Sequence, residues 1–252
     1  MVQEDDRTLS PLEALAPLLR AHPELGSVLG RTNATLAVPA AARPLVLGGL
    51  AHLSGLRPFL VVTPTLADAE HLAEDLRCFL EPGTVEVFAP WETLPLERVS
   101  PDVHTMGTRL SVLWRLVGDE VLPGDPGLRV VVAPVRAVLQ RLGPVDDAAR
   151  PLVVSRGARL EQAELLARLV DLGYRREHQV EHRGEFAVRG GIVDVFASTA
   201  EEPFRLDLFG DEVDRLSAFD VGDQRSTAEL EQAVVFSCRE LVLTGAIRDR
   251  AR

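Results

Sequence analysis

Two patterns of apolar residues divide this sequence near residue 153, and each pattern requires a different kind of sheet. Before that point, short apolar runs such as FLVVT at 59–63 alternate with segments of helical period. Such strands are typical of a parallel sheet covered by helices on both faces. After that point, apolar and polar residues alternate within the strands, as in an antiparallel sheet with one face in water. The sequence therefore predicts two domains.

The first pattern indicates an α/β domain with an open, mostly parallel sheet. Residues 34–80 read strand, turn, helix, strand, turn, helix, and Thr65 is a plausible cap for the second of these helices. Apolar runs at 84–90 and 128–142 add two strands, the second continuing into a helix. Ahead of this domain, Ser10 and Pro11 mark the start of a helix within residues 9–21.

The second pattern indicates a smaller α+β domain with antiparallel hairpins. It begins with a helix that ends near Gly173, followed by alternating strands, and the GDQRS stretch at 222–226 reads as its exit. We predict four parts: a helical segment (1–29), the α/β domain (30–152), the inserted α+β domain (153–226) and the start of a returning α/β segment (227–252).

Charge and composition exclude several functions. The chain carries 38 acidic and 27 basic residues, a net charge of −11, which is the wrong sign for a general nucleic-acid binder. All 27 basic residues are arginine, and without lysine neither a working P-loop nor a Schiff-base enzyme is expected. The acidic, polar N-terminus and the lack of a long apolar run predict a cytoplasmic protein with no membrane segment.

The turn VPAAARP at 38–44 lies where a nucleotide-binding fold would place its phosphate loop. Alanines replace the glycines, Arg43 replaces the lysine, and Pro44 removes a backbone N–H donor. We therefore predict that this chain binds no nucleotide cofactor.

Residues suited to metal binding or nucleophilic catalysis lack the necessary spacing. Cys78 and Cys238 are far apart, and His178 and His182 fall where strand or loop is expected. No GxSxG motif occurs. We predict neither a metal site nor a catalytic site.

The strand FRLDLFGD at 204–211 places arginine and phenylalanine on one face. Its period of two puts Phe204, Leu206 and Leu208 on the opposite face, which is the candidate core face. Arg205 and Phe209 would then be exposed side by side, a pairing common in protein interfaces. Alternatively, Phe209 packs beneath the hairpin and Arg205 pairs with an acidic residue, Asp207 or Asp211.

Arg189 precedes two glycines in EFAVRGGIVDVF at 185–196. Glycine allows a bulge or a close backbone approach, so the face of Arg189 does not follow from parity. An interface arginine and a solvated hairpin arginine both fit.

Four segments of the sequence resemble the UvrB-like module of the bacterial transcription-repair coupling factors, the Mfd family. They are residues 91–116 (WETLPLERVSPDVHTMGTRLSVLWRL), 130–144 (VVVAPVRAVLQRLGP), 172–196 (LGYRREHQVEHRGEFAVRGGIVDVF) and 204–226 (FRLDLFGDEVDRLSAFDVGDQRS). The resemblance runs from about residue 30 to the end. It implies a degenerate helicase-like (RecA-like) sheet for 30–152, similar to UvrB domain 1a. It also implies a domain 2-like insertion at 153–226 and a domain 1b-like return.

The sequence departs from UvrB at two points that matter for chemistry. VPAAARP stands in place of the P-loop, and residues 91–106 contain no tyrosine where UvrB carries a tyrosine-rich hairpin that threads DNA. Tyr174 is the only tyrosine in the chain. We therefore expect no ATP turnover and weak or no nucleic-acid binding by this chain. In the family, ATP, Mg²⁺, RNA polymerase and double-stranded DNA are bound by other parts of a longer protein.

The resemblance identifies UvrA as the expected partner. The family's UvrA-contacting residues fall on Arg189, Arg205 and Phe209, with both guanidinium groups expected to pair bidentately with carboxylates of the partner.

Three hypotheses remain: a non-catalytic adaptor that recruits UvrA to stalled RNA polymerase, a UvrB-type ATP- or DNA-processing enzyme, and a purely structural domain. Stabilisation by ATP, or DNA binding with a steep salt dependence, would favour the enzyme.

Overall fold

A computed structural model describes residues 12, 14–19, 22–55, 57–93, 100–117, 121–142 and 150–240. These residues form two compact units. The first contains the described residues up to Pro90 and Gly124–Gln140, and the second contains those of Trp91–Pro123 and those from Arg141 onward. None of the described helices has the length and apolar character needed to span a membrane.

The helices and strands of both units are numbered along the chain. The helices are α1 (Leu15–Leu18), α2 (Pro23–Val28), α3 (Arg43–Leu53), α4 (Leu66–Arg77), α5 (Val103–Val117), α6 (Val135–Leu139) and α7 (Gln162–Asp171). The strands are β1 (Phe59–Thr63), β2 (Val85–Val87), β3 (Val130–Pro134), β4 (Leu152–Ser155), β5 (Arg175–Arg176), β6 (Glu185–Arg189), β7 (Ile192–Phe196), β8 (Phe204–Phe209), β9 (Glu212–Phe219), β10 (Ser226–Glu229) and β11 (Gln232–Val235).

The first unit is built on a parallel sheet in the order β1-β3-β2, as the short apolar runs predict. Helix α4 begins with the predicted Thr65 cap. The Thr65 hydroxyl accepts the Asp68 N–H at 3.1 Å, and the Asp68 carboxylate accepts the Thr65 N–H at 3.2 Å. This capping box satisfies two backbone donors that the helix itself leaves unpaired. The buried side of α4 then packs against alternate residues of β3, including Val130 and Val132.

Two predictions for the first unit are wrong. Residues 34–38 do not form a strand, since 31–39 are irregular and a 3₁₀ turn at Ala40–Ala42 leads directly into α3. An apolar run becomes a strand only where another strand pairs with it, and no described strand does so here. The expected cover on both faces of β1 is also absent, because Leu60 and Val62 are exposed.

The second unit contains a six-stranded sheet in the order β10-β9-β8-β7-β6-β5 and a two-stranded sheet of β4 and β11. All neighbouring strands are antiparallel except β5 and β6, which confirms the predicted antiparallel hairpins. Helix α7 packs its buried leucines, Leu165 and Leu169, into the core of this unit. The helix is followed by Gly173, whose φ of +87° ends it as the sequence predicts.

The second unit continues past the predicted exit at 222–226. Strand β10 starts at Ser226 and pairs with β9, while β11 pairs with β4 and contributes Val235 to the core. Helix α5 also belongs to this unit. The predicted helix start at Ser10 and Pro11, and the end of the returning segment at 241–252, lie outside the described residues.

Candidate functional site

Strand β8 has the two faces that its sequence predicts. Phe204, Leu206 and Leu208 are buried in the core of the second unit, whereas the Phe209 side chain is 83% exposed. The alternative, in which Phe209 packs under its hairpin, is therefore wrong. Burying a phenylalanine side chain contributes about 1.5–3 kcal/mol to stability. Because Phe209 is exposed, its apolar surface remains available for contact with a partner.

The register of three strands places Arg189 on the same face as Arg205. Ala187 of β6 lies opposite Asp194 of β7, which lies opposite Arg205 of β8. Residues opposite one another in antiparallel strands share a face, and Arg189 is two positions from Ala187. The structure thus brings together all three sequence-predicted residues, Arg189, Arg205 and Phe209, on one face of the sheet.

The glycines after Arg189 have two different roles. Gly190 has a φ of +62°, which residues with a side chain rarely adopt. A Cβ on Gly191 would lie 2.7 Å from the carbonyl oxygen of Leu208, so only glycine fits where the β6–β7 turn approaches β8. The Leu208 N–H donates to the Gly191 carbonyl at 2.9 Å across this close approach.

A carboxylate that the sequence reasoning missed joins the two arginines. Asp194 has a side chain only 1% exposed, and it accepts hydrogen bonds from Arg205 Nε at 2.6 Å and Arg205 Nη2 at 2.9 Å. It also accepts a hydrogen bond from Arg189 Nη2. Arg205 forms its hydrogen-bonded ion pair with Asp194, and not with Asp207 or Asp211 as that alternative proposed, although the nearby Asp207 carboxylate also raises the pKa of Arg205. The available signal was the single acidic residue within the apolar strand IVDVF.

Arg205 is fixed by contacts with three residues besides its neighbours in the chain. Its Nη1 donates to the Gln224 carbonyl at 3.2 Å, and its guanidinium lies 4.7 Å from the centre of the Phe219 ring. Hydrogen bonding to Asp194 raises the pKa of Arg205, which keeps the guanidinium charged. Its side chain is 22% exposed. The expected bidentate pairing of Arg205 is thus made inside the chain, with Asp194.

Arg189 is more open than Arg205. Its side chain is 49% exposed, and within the part of the chain that the structure describes its guanidinium makes one hydrogen bond, to Asp194. Two guanidinium groups therefore surround the Asp194 carboxylate, and a second carboxylate, that of Asp207, lies between Arg205 and Phe209 on the same face of β8. Such a surface suits a partner that offers a carboxylate and an apolar pocket.

A concave region lies elsewhere in the same unit. It is a cleft of about 880 Å³ lined by residues that include His104, His178, His182 and the carboxylate of Glu185. His178 and His182 lie in a loop, as expected. The Glu185 side chain is 8% exposed and accepts the backbone N–H groups of Glu181 and His182, so it stabilises this loop. Among the residues described, no three His, Cys, Asp or Glu side chains are grouped to hold a metal ion.

Comparison with known protein families finds one match on the second unit. The model of the UvrB interaction domain matches residues 152–241. This range includes Arg189, Asp194, Arg205 and Phe209.

Comparison with known proteins finds relatives along nearly the whole chain. A transcription-repair-coupling factor of Mycobacterium bovis is 42% identical over 249 residues, which are 96% of this chain and 20% of that relative. Those of Escherichia coli and Bacillus subtilis are 33% and 32% identical over 82% and 83% of this chain, and 16% and 17% of their own lengths. The chain thus spans about a fifth of the length of the first of these relatives.

Proposed function

The chain belongs to the transcription-repair-coupling factor family, and on this premise we propose that it is the non-catalytic part of such a factor that recruits UvrA during nucleotide excision repair. UvrA contacts the β6–β8 face through Arg189, Arg205 and Phe209. The match to the UvrB interaction domain covers all three residues.

The observation that carries this proposal is the exposure of Phe209 on the same sheet face as the cluster of Arg189, Asp194 and Arg205. An aromatic ring that is 83% exposed contributes little to folding, because most of its surface stays in water in the folded chain. In a complex, the same ring is a typical hot-spot anchor, and the neighbouring arginines exclude wrong partners by charge.

The remaining functions of the family belong, in this proposal, to the longer protein. We infer that the first unit is a degenerate RecA-like domain that needs no nucleotide. In support, α3 begins at Arg43 after a turn of alanines, without a side-chain cap, and Pro44 lacks an N–H donor. ATP, Mg²⁺, RNA polymerase and double-stranded DNA are bound elsewhere in the factor, which acts in the cytoplasm. We assign UvrA binding to the predicted domain 153–226, inserted between 30–152 and 227–252.

The proposal is tested by measuring the affinity of the purified chain for UvrA by calorimetry. We expect Phe209→Ala to weaken binding by about 2 kcal/mol, roughly thirtyfold in Kd, because the ring is the apolar centre of the surface. Its unfolding free energy should stay within about 0.5 kcal/mol of the wild type, since the ring is exposed. Arg205→Ala should also weaken binding, with a loss of stability because Asp194 loses its main partner.

Leu139→Ala is the matched control. Leu139 is 78% exposed and lies in the first unit, so its removal should leave UvrA binding unchanged. Equal affinity of the wild-type and Phe209→Ala chains would refute the site, and failure of the wild-type chain to bind would refute the function.

A further inference from the structure

We propose that Asp194 is the positioning residue of this surface, which holds Arg189 so that its remaining donors face a carboxylate of the partner. The inference rests on the proposed UvrA site and deepens it. It adds a residue that cannot touch the partner, and it gives the two arginines different roles.

Burial requires Asp194 to act through other side chains. Its carboxylate is 1% exposed and is bound by three guanidinium nitrogens, two from Arg205 and one from Arg189. A buried carboxylate is stable only when cations and hydrogen-bond donors surround it. The pairing therefore fixes the orientation of both guanidinium groups before any partner arrives, which reduces the entropy lost on binding.

Arg205 belongs to the framework of the surface. It is bonded to Asp194 through Nε and Nη2 and to the Gln224 carbonyl through Nη1, and it stacks on Phe219. With each of its three nitrogens engaged, Arg205 holds Asp194 in place and contributes charge.

Arg189 presents the free donors of the surface. Asp194 binds it by Nη2, and its side chain is 49% exposed at the rim of the cluster. The negative charges of Asp194 and of Asp207, on the same face, both act on Arg205, whereas Arg189 makes its ion pair with Asp194. A guanidinium anchored at one nitrogen can still donate from its other nitrogens to an incoming carboxylate, the acceptor that fits its planar fork.

The test is a double-mutant cycle on binding of the full chain to UvrA. We expect Asp194→Asn to weaken binding about tenfold, because Arg189 loses its anchor. In the Arg189→Ala background the same change should weaken binding less than about threefold, because only Arg205 is left for Asp194 to orient, and the Gln224 carbonyl and the Phe219 ring also hold Arg205. If Asp194→Asn weakens UvrA binding by the same factor in the wild-type and Arg189→Ala chains, Asp194 does not act through Arg189. That result would overturn the inference.

A matched control separates positioning from stability. Glu185→Gln alters another buried carboxylate of the same sheet, at the far end of β6. We expect Glu185→Gln to lower the unfolding free energy. Its affinity for UvrA should stay within about twofold of the wild-type value, which is about the error of the measurement. An equal loss of affinity in Glu185→Gln and Asp194→Asn would assign both effects to stability and overturn the inference.

A surface variant keeps the inference testable if Asp194→Asn does not fold. Lysine at 189 can satisfy Asp194 but lacks the fork that serves two carboxylates at once, so Arg189→Lys should weaken binding nearly as much as Arg189→Ala. Wild-type affinity in Arg189→Lys would overturn the inference while leaving the UvrA site intact. Failure of the unaltered chain to bind UvrA would instead overturn the proposed function and, with it, the inference.

Discussion

Buried polar side chains join separate segments of the second unit through hydrogen bonds, and Tyr174 is the clearest case. Its hydroxyl donates to the Phe236 carbonyl at 2.9 Å and accepts the Ser198 N–H at 2.9 Å. The Ser198 hydroxyl donates to the same carbonyl at 3.1 Å. The chain's only tyrosine is therefore a structural residue that links the end of β7 to the segment after β11. It is buried and unavailable for stacking on nucleic-acid bases.

Tyr174→Phe should destabilise the second unit by about 1–3 kcal/mol. The substitution leaves the buried Ser198 N–H without an acceptor, and burial of an unpaired donor carries its full desolvation cost. Urea unfolding followed by tryptophan fluorescence measures this, because both tryptophans, Trp91 and Trp114, lie in the second unit. Thr227→Ala removes an exposed hydroxyl and should change stability by less than about 0.5 kcal/mol. Equal stability of Tyr174→Phe and the wild type would contradict the assigned network.

The β6–β7 hairpin is the element that delivers Arg189 to the surface. Its turn brings Gly191 against the backbone of β8, and Gly190 adopts a left-handed conformation. The two glycines are adjacent, yet only Gly191 is confined by a neighbour, since nothing lies within 4 Å of a Cβ placed on Gly190. Substitutions at the two positions therefore separate steric confinement from backbone conformation.

Gly191→Ala should destabilise the chain by roughly 1–3 kcal/mol, because the backbone oxygen of Leu208 cannot move aside without disturbing the β7–β8 ladder. Gly190→Asn should cost less than about 1 kcal/mol, since asparagine tolerates the left-handed region. Chemical denaturation of the two variants under one set of conditions gives the comparison. A larger loss for Gly190→Asn would mean that backbone conformation, and not the close approach to β8, limits this turn.

The chain carries a net charge of −11, and two weakly acidic side chains, Cys238 and Tyr174, are buried in their uncharged forms in the second unit. The stability of the protein should therefore decrease at alkaline pH. Burial raises the pKa of the Cys238 thiol from an ordinary 9.0 to about 12. Burial also raises the pKa of Tyr174. A raised folded-state pKa contributes stability that is complete below the unfolded pKa and is lost as pH rises towards the folded value.

We expect the second unit to lose stability as pH rises from about 9.0 towards about 12, with the slope approaching roughly 1.4 kcal/mol per pH unit, because the unfolded thiol ionises in this window and the buried Cys238 thiol does not. Ionisation of Tyr174 in the unfolded chain should add to the loss at higher pH. Urea unfolding monitored by tryptophan fluorescence across this range measures the slope. Cys238→Ala should flatten it, whereas Cys78→Ala, at an exposed cysteine, should not. A slope unchanged in Cys238→Ala would contradict this origin.

Sequence reasoning succeeded where one element carries its own signal. The alternation of β8, the Thr65 cap of α4 and the end of α7 at Gly173 depend on residues a few positions apart, and each is confirmed. It failed where the outcome depends on distant strands. Residues 34–38 have strand-like composition but no described strand pairs with them, and Leu60 and Val62 lie on a face left open.

The sequence by itself determined that Phe209 lies opposite the core face of its strand, because a period of two assigns faces without knowledge of neighbours. Only the tertiary structure decided that Arg189 joins it and that Asp194 binds both arginines. That outcome depends on the register of β6 against β7 and of β7 against β8. A slip of one residue in the β6–β7 pairing would place Arg189 on the face opposite Asp194, and a slip in the β7–β8 pairing would do the same to Arg205. The register is fixed by burial of the whole sheet.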